Sequence, residues 1–401
     1  MNILFLTMAK TELSQSGIYS DLMRKFRDEG HKVYIVMPSE RREGTHTSVS
    51  DANGIYTLSV RTLNLQKTNI IEKGLGQVSL ELLYQLAINK HIGNIKFDLV
   101  LYSTPPITFT KVIQQLKKKN PKAISYLLLK DIFPQNAIDL GLLKKNGIKG
   151  ILYKWFRNKE KDLYRISDFI GCMSPANVNY LLKHNPDIDP NKVEIAPNSY
   201  DIPPSINIYA LSNEIRKKYQ LPLNKPILIF GGNMGLPQGI PFLIECMNAV
   251  KDRKDCHFVI VGDGTNYPKI ESWRNEVNPK AVSLFRSLPK TDYDALANAC
   301  DIGLIFLDYR FSIPNYPSRL LSYLMSKKPI IAVTDSNCDI GSIAEDNGYG
   351  LYSPSNSVES FVASVDKILA SDIKDMGNKG YHYFLNNYTT EHTYRAIVKH
   401  L

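Results

Sequence analysis

The sequence predicts an α/β protein of two Rossmann-like, doubly wound domains facing each other across a cleft. Three observations carry this. A chain of 401 residues is too long for one ordinary core, and two domains of roughly 200 residues are the natural division. Both halves alternate short apolar, β-rich runs with amphipathic helical patterns, the grammar of parallel sheets with crossover helices. Between the halves, the Pro-, Asn- and Ser-rich stretch PNSYDIPPSIN (197–207) reads as a linker. The expected domains are 1–200 and 201–380, with a C-terminal helix at about 381–401 packing back on the first.

In the first half the predicted strands are NILFLTM, KVYIVMP, DLVLYS, AISYLLLK and FIGCMS, with helices over 17–29 and 76–92. The opening MNILFLTMAK has neither a basic start nor a small-residue cleavage site, so it reads as the first strand and not as a signal peptide. From 148 onward, Ile148, Ile151, Leu152, Trp155 and Phe156 recur at helical spacing, while Lys149, Lys154, Arg157, Lys159 and Lys161 fill other faces. Two readings of this stripe stay open. It faces the core beneath a solvated basic face, or it lies against an anionic membrane with Lys149, Trp155, Phe156 and Arg157 at the interface. The second half offers the strands PILIFGG, HFVIVGDG, VSLFRS, IGLIFLD and PIIAVTD, and helices at about 238–251, 266–276, 291–299 and 317–326. In doubly wound sheets, ligands sit at the carboxyl ends of the strands. The glycine loop 231–235 and the GDG at 262–264 are therefore expected to line the cleft.

Composition narrows the function classes. The hydrophobic fraction of 43% is globular, and no stretch approaches the roughly 20 apolar residues a membrane span needs. Cys172, Cys246, Cys256, Cys300 and Cys338 are scattered without a CxxC, which fits neither a disulfide framework nor a zinc site. No HExxH occurs, so metal hydrolysis has no support. The net charge of +10 is uneven: residues 1–200 hold 28 Lys/Arg against 18 Asp/Glu, and residues 201–401 hold 21 of each. The segment 111–165 alone carries 14 basic and 4 acidic residues, which suggests a polyanionic partner. It contains no recognisable nucleic-acid module and its aromatics follow helical spacing, so no nucleic acid is expected.

Several motifs in one order carry a resemblance: APN ending at Asn198, GGNMGLPQGI, VGDG, ANACDIGLIFL and PSRLLSYLMSKKPIIAV, with KDIFPQNAIDLGLL in the first half. Together they resemble the GT-B glycosyltransferases of the group-4 family used in bacterial capsule and O-antigen assembly, and within it the enzymes that transfer N-acetyl-L-fucosamine. The resemblance covers nearly the whole chain. It implies an acceptor-binding first domain, a donor-binding second domain, and transfer of a sugar from a UDP-sugar to a polyprenyl-diphosphate-linked saccharide. It also implies a cytoplasmic enzyme, peripheral on the inner face of the bacterial membrane. Gly232, Asn233, Met234 and Gly235 are expected to face the donor diphosphate through backbone N–H groups. Gly262, Asp263 and Gly264 form the site floor, and the backbone of Arg286 and Ser287 meets the uracil edge. Ser16 and Gly17 approach the sugar or diphosphate from the other wall. No cofactor is expected beyond the donor, and no required divalent ion, since no metal-binding aspartate pair of the DxD kind is read in the sequence.

The chain departs from the family in two places. Where many members put Arg and Lys in the glycine loop, this one has Asn233 and Gln238. Arg319 is the candidate to supply the missing charge: Pro317 suits a first helical turn, Ser318 follows, and Arg319 then sits near the helix's positive end. The alternative is a surface arginine. In addition, the two glutamates of retaining members fall here on Pro314 and Ser322, so ribose recognition passes to Ser322 or to backbone groups. An inverting reaction needs a general base. Asp131 at a predicted strand end is the candidate, with Lys130 beside it, Glu12 and Asp139 as alternatives, and a turn cap as the bland reading. An inactive nucleotide-sensing scaffold and a sugar-nucleotide epimerase are the competing functions.

Overall fold

The computed structural model describes residues 1–65, 70–202 and 212–401; positions 203–207 of the expected linker lie outside them. The chain forms two units, Met1–Asp201 with Tyr388–Leu401, and Ile202–Asn387.

The first unit holds eight strands: β1 (Asn2–Leu6), β2 (Lys32–Glu40), β3 (Ser48–Ala52), β4 (Ile55–Thr62), β5 (Leu99–Ser103), β6 (Ile124–Leu129), β7 (Phe169–Cys172) and β8 (Val193–Ile195). Their order is β3-β4-β2-β1-β5-β6-β7-β8. All pairings are parallel except β3 with β4. β1, β5 and β6 are apolar almost end to end because helices cover both faces of such a sheet. β3 and β4 form a hairpin at Asn53-Gly54, both with positive φ, 53° and 80°, as a two-residue turn between twisted strands requires.

The helix Thr390–Val398 belongs to this unit. Ile397 enters its core beside Phe26, Glu391 pairs with Lys25 at 2.6 Å, and Thr393 Oγ1 donates to the Pro197 carbonyl at 2.9 Å. The returning segment starts at Tyr388; residues 381–387 end the helix Ile373–Asn387 in the second unit.

The helix Gly147–Ile166 turns Leu163 and Tyr164 inward. Of the two open readings of the apolar stripe, the core-facing one fails at three of its residues. Ile151 is 71% exposed, Leu152 45% and Trp155 38%, and the side chain of Ile148 is not among those described. On the helix Ile70–His91, Val78, Leu82 and Leu86 are also exposed, at i, i+4 and i+8. Among the described residues no helix is long and apolar enough to cross a membrane.

The second unit has six parallel strands: β9 (Ile227–Asn233), β10 (His257–Asp263), β11 (Val282–Phe285), β12 (Ile302–Phe306), β13 (Ile330–Thr334) and β14 (Gly350–Pro354). Their order is β11-β10-β9-β12-β13-β14. The chain winds outward from β9 to β11, then restarts on the other side at β12. This places the switch point between β9 and β12, where doubly wound sheets take ligands. Phe230, Phe306 and Phe361 anchor the core, with ring centroids 5.7–5.8 Å apart from Phe306.

Candidate functional site

At the switch point β9 runs two residues beyond its buried stretch, so Gly232 and Asn233 are still strand, paired with Gly262 and Asp263 of β10. The loop expected at 231–235 thus begins only at Met234. Its donors are mostly taken. Met234 N–H donates to the Asp263 carbonyl at 2.9 Å and its side chain is core. Gly235 N–H donates to Gln238 Oε1 at 3.2 Å. Met234, Gly235 and Gln238 therefore build the turn, and Gly232 and Asn233 are the exposed members.

Two glycines here answer to close approach. A Cβ on Gly262 would lie 1.8 Å from the Gly232 carbonyl oxygen, and one on Gly232, whose φ is 121°, would lie 3.2 Å from Arg319 Nη2. Arg319 is the first residue of the helix Arg319–Met325, with Ser318 as N-cap. Pro317 thus stands one residue outside the helix and not in its first turn. The surface-arginine reading fails. The guanidinium lies 4.7 Å from the centroid of the Phe230 ring, and Nη1 is buried without a hydrogen-bond partner among the described residues. Tyr293 and Tyr323 face it, and burial lowers its pKa, although an arginine keeps its proton in any protein setting. Tyr323 is itself pinned, its hydroxyl donating to the Ile229 carbonyl at 3.1 Å. A buried cation without a partner is costly, and here it sits against an exposed strand end. Ser322, one turn on, shares its helix face.

On the β10 side, Asp263 accepts from Gly264 N–H at 2.8 Å and from Arg286 Nε at 3.4 Å. Arg286 lies 5.1 Å over the Tyr267 ring, and Ser287 is exposed beyond β11.

In the first unit, Lys130 and Asp131 follow β6. Both backbone N–H groups donate to Thr104 Oγ1, at 3.0 and 3.1 Å. Burial pushes the Asp131 carboxyl up to about 6, although Asn136 Nδ2 donates to it at 2.8 Å. Burial also lowers Lys130 to about 7; its ammonium donates to the Ala196 carbonyl at 3.1 Å. An acid and an amine are thus both poised near neutrality, as proton-transfer sites require. The alternatives are engaged locally: Glu12 and Asp139 accept from Gln15 and Gln135, each at 2.7 Å.

Ser16 and Gly17 do not present free donors. Ser16 Oγ and Gly17 N–H donate to the fully buried Asp21 carboxylate at 2.8 and 3.0 Å. Asp21 also pairs with Arg24 and accepts from Asp201 N–H at 3.0 Å.

Of the four residues expected at a membrane, Lys149 and Trp155 are exposed. Phe156 packs edge-on to Phe133 and Trp155 at 4.8 and 4.9 Å. Arg157 faces inward, bonded to Glu160, to Asn185 Oδ1 at 2.6 Å and to the His184 carbonyl at 3.0 Å. The five cysteines are free and buried. The sequence does hold two Asp-x-Asp triplets, at 187–189 and 292–294. Asp189 accepts from Asn191 N–H, and Asp292 and Asp294 pair with Lys218 and Lys290.

Residues 212–383, nearly the whole second unit, match the family model of glycosyl transferases, group 1. The match falls on the part of the chain that carries Gly232, Gly262 and Arg319. The full chain is 24% identical to the probable glycosyltransferase WbjE of Pseudomonas aeruginosa, over 80% of this chain and 78% of that one. It is 26% identical to the putative colanic acid biosynthesis glycosyl transferase WcaI of Escherichia coli K12, over 39% of this chain and 38% of that one. Among solved structures it resembles sucrose-phosphate synthase from Thermosynechococcus elongatus, with a TM-score of 0.75 at 14% identity over 100% of this chain and 98% of that one. It also resembles HepE from Anabaena in complex with UDP, with a TM-score of 0.68 at 13% identity over 100% and 99%. These likenesses establish the two-domain GT-B fold.

Within the second unit, sequence reading missed Phe230, Tyr293 and Tyr323, the rings around Arg319. In the first unit it missed Thr104 and Asp21. The rings carried no signal beyond apolar strand and helix positions. We expect Gly262→Ala to destabilise this domain by more than about 2 kcal/mol, since the clash is with backbone and cannot be relieved by a rotamer change. The urea unfolding midpoint measures this, and an unchanged midpoint would refute the close approach.

Proposed function

We propose that the protein transfers a sugar, N-acetyl-L-fucosamine being the reading the sequence motifs favour, from a UDP-sugar to a polyprenyl-diphosphate-linked saccharide in polysaccharide synthesis. The observation that carries this is Arg319: a half-buried arginine whose Nη1 is buried and unpartnered among the described residues, beside Gly232 at the switch point of the second sheet. The leaving UDP accumulates negative charge on its diphosphate, and a fixed, desolvated fork stabilises that charge more in the transition state than in the ground state. Asp131 takes the proton from the acceptor hydroxyl in our reading, and Lys130 orients acceptor or donor groups. Glutamates are replaced by Pro314 and Ser322, which favours this base-assisted, inverting course. No divalent ion is assigned a role. Support for a UDP-linked donor comes from the fold likeness to HepE in complex with UDP, and support for polysaccharide synthesis from the relative WcaI.

The test is a transfer assay with UDP-sugars, including UDP-N-acetyl-L-fucosamine, and a polyprenyl-diphosphate monosaccharide in detergent. Mass spectrometry reads one added sugar, and NMR of the product reads its anomeric configuration. UDP binding without product from any donor would replace the transferase reading with a nucleotide-sensing scaffold.

An acceptor anchored in lipid brings the enzyme to the bilayer surface. The exposed Ile151, Leu152 and Trp155, with Lys149 and Lys154 on the same helix, fit an anionic interface. We expect sedimentation with phosphatidylglycerol vesicles at low salt, release on raising the salt, and weaker binding for Ile151→Ser/Trp155→Ala. Equal binding to neutral vesicles would remove the electrostatic part of this reading.

A further inference from the structure

A cavity of about 740 Å³ opens at the amino ends of β9, β12 and β13, at the opposite end of the second sheet from Gly232. Pro226 leads from its wall into β9, Asp301 into β12 and Lys328 towards β13. Five of its lining residues are cationic, Arg216, Lys225, Lys327, Lys328 and Lys374, against one carboxylate, Asp301. That carboxylate is already neutralised: it accepts from Arg216 Nη2 at 2.8 Å and from Ile227 N–H at 2.7 Å.

Among the described residues the remaining cations have no carboxylate in an ion pair with them. Lys328 is buried, with its ammonium on the Asn298 carbonyl at 3.0 Å and on the Cys300 carbonyl. An ammonium has three donors, so one is left for a ligand. Burial lowers Lys328 to about 8, the direction a bound anion reverses. Lys225 donates to the Lys254 carbonyl at 3.1 Å, and Lys327 lies 5.1 Å over the Tyr381 ring. Lys374 opens the helix Ile373–Asn387, whose positive end faces the same space. On that helix Asp375 pairs with Lys379 at 2.6 Å, and Asp372, just before it, accepts from Asp375 N–H at 2.9 Å. Concave walls with an excess of one sign concentrate counter-ions, while Leu223, Pro226 and Ile373 supply an apolar side.

We propose that this cavity binds a small phosphorylated anion, held by Lys327, Lys328 and Lys374 with its body against Leu223 and Ile373, at a site separate from Arg319. The test is calorimetric titration of the full chain with inorganic pyrophosphate, with and without saturating UDP. We expect binding that persists with UDP present and falls at least tenfold in Lys327→Glu/Lys374→Glu. Both lysines are exposed, so the variant should keep its thermal transition; Lys374→Ala alone replaces it otherwise. If UDP abolishes the pyrophosphate heat, or the variants leave it unchanged, the anion is not in the cavity and the proposal falls. Should UDP itself not bind, the donor reading fails while the lysine variants still report on the cavity alone.

Discussion

Arg319→Ala lowers kcat by about 100- to 1,000-fold, the loss that follows removal of one preorganised group stabilising a developing anion. The physical basis is the position of the guanidinium. Phe230 holds one face, with Tyr293 and Tyr323 close by, so the fork is held in place while its buried Nη1 has no partner among the described residues. An anion arriving beside Gly232 meets a donor that has no reorganisation left to undergo. Arg319→Lys keeps the charge and loses the planar fork, so its turnover falls between the two. The same reasoning makes a second, opposite forecast for stability. Removing an unpartnered buried charge relieves a desolvation cost, so Arg319→Met should melt at or above the wild-type temperature without UDP, and UDP should stabilise it less. Steady-state kinetics and thermal melts with and without UDP check both. Turnover within threefold of wild type, or a sharply lowered melting temperature in the apo protein, would make Arg319 a structural residue.

Asp131→Asn is expected to cost about 100- to 10,000-fold in kcat, the range for loss of a general base. Burial holds this carboxyl near 6 in place of its ordinary value below 4. Wild-type kcat/KM should therefore fall as pH drops through about 6, and this acidic limb should vanish from the residual rate of Asp131→Asn. The sign for stability follows from the same shift. Between about pH 4 and 6 the folded protein binds this proton more tightly than the unfolded chain does. Stability therefore falls as pH rises through that window, and above it the ionised carboxylate is a liability. Asp131→Asn should accordingly be more stable than wild type at pH 7, on the order of 1 kcal/mol, with no such gain at pH 4. A variant that is inactive and also destabilised at pH 7 would point to a turn-capping role instead.

How far the sequence could be read depended on what each element buries. β1, β5, β9, β10 and β12 are apolar runs bounded by turns, and they stand where the pattern put them because a parallel sheet is covered on both faces. β3 escaped notice because SVSDA is exposed throughout; its only local signal was the Asn53-Gly54 turn. β8 has three residues and no buried apolar side chain, too little for any period to register. The stripe at 148–156 shows the opposite failure. Its helical spacing was legible, but spacing says that residues share a face and not what that face meets.

The sequence by itself determined the parallel α/β class, the glycine-rich end of β9, and the candidacy of Arg319 and of the Lys130–Asp131 pair, because strand periodicity, turn chemistry and charge are properties of neighbouring residues. Only the tertiary structure decided that Asp263 of β10 claims the Met234 N–H, that Gln238 claims the Gly235 N–H, and that Asp21 claims Ser16 and Gly17. It likewise decided that Arg157 turns inward and that Arg319 is enclosed by rings from β9 and from two helices. Those outcomes rest on partners distant along the chain. A donor or a charge is free only if nothing else in the fold reaches it first, and local sequence carries no record of that competition.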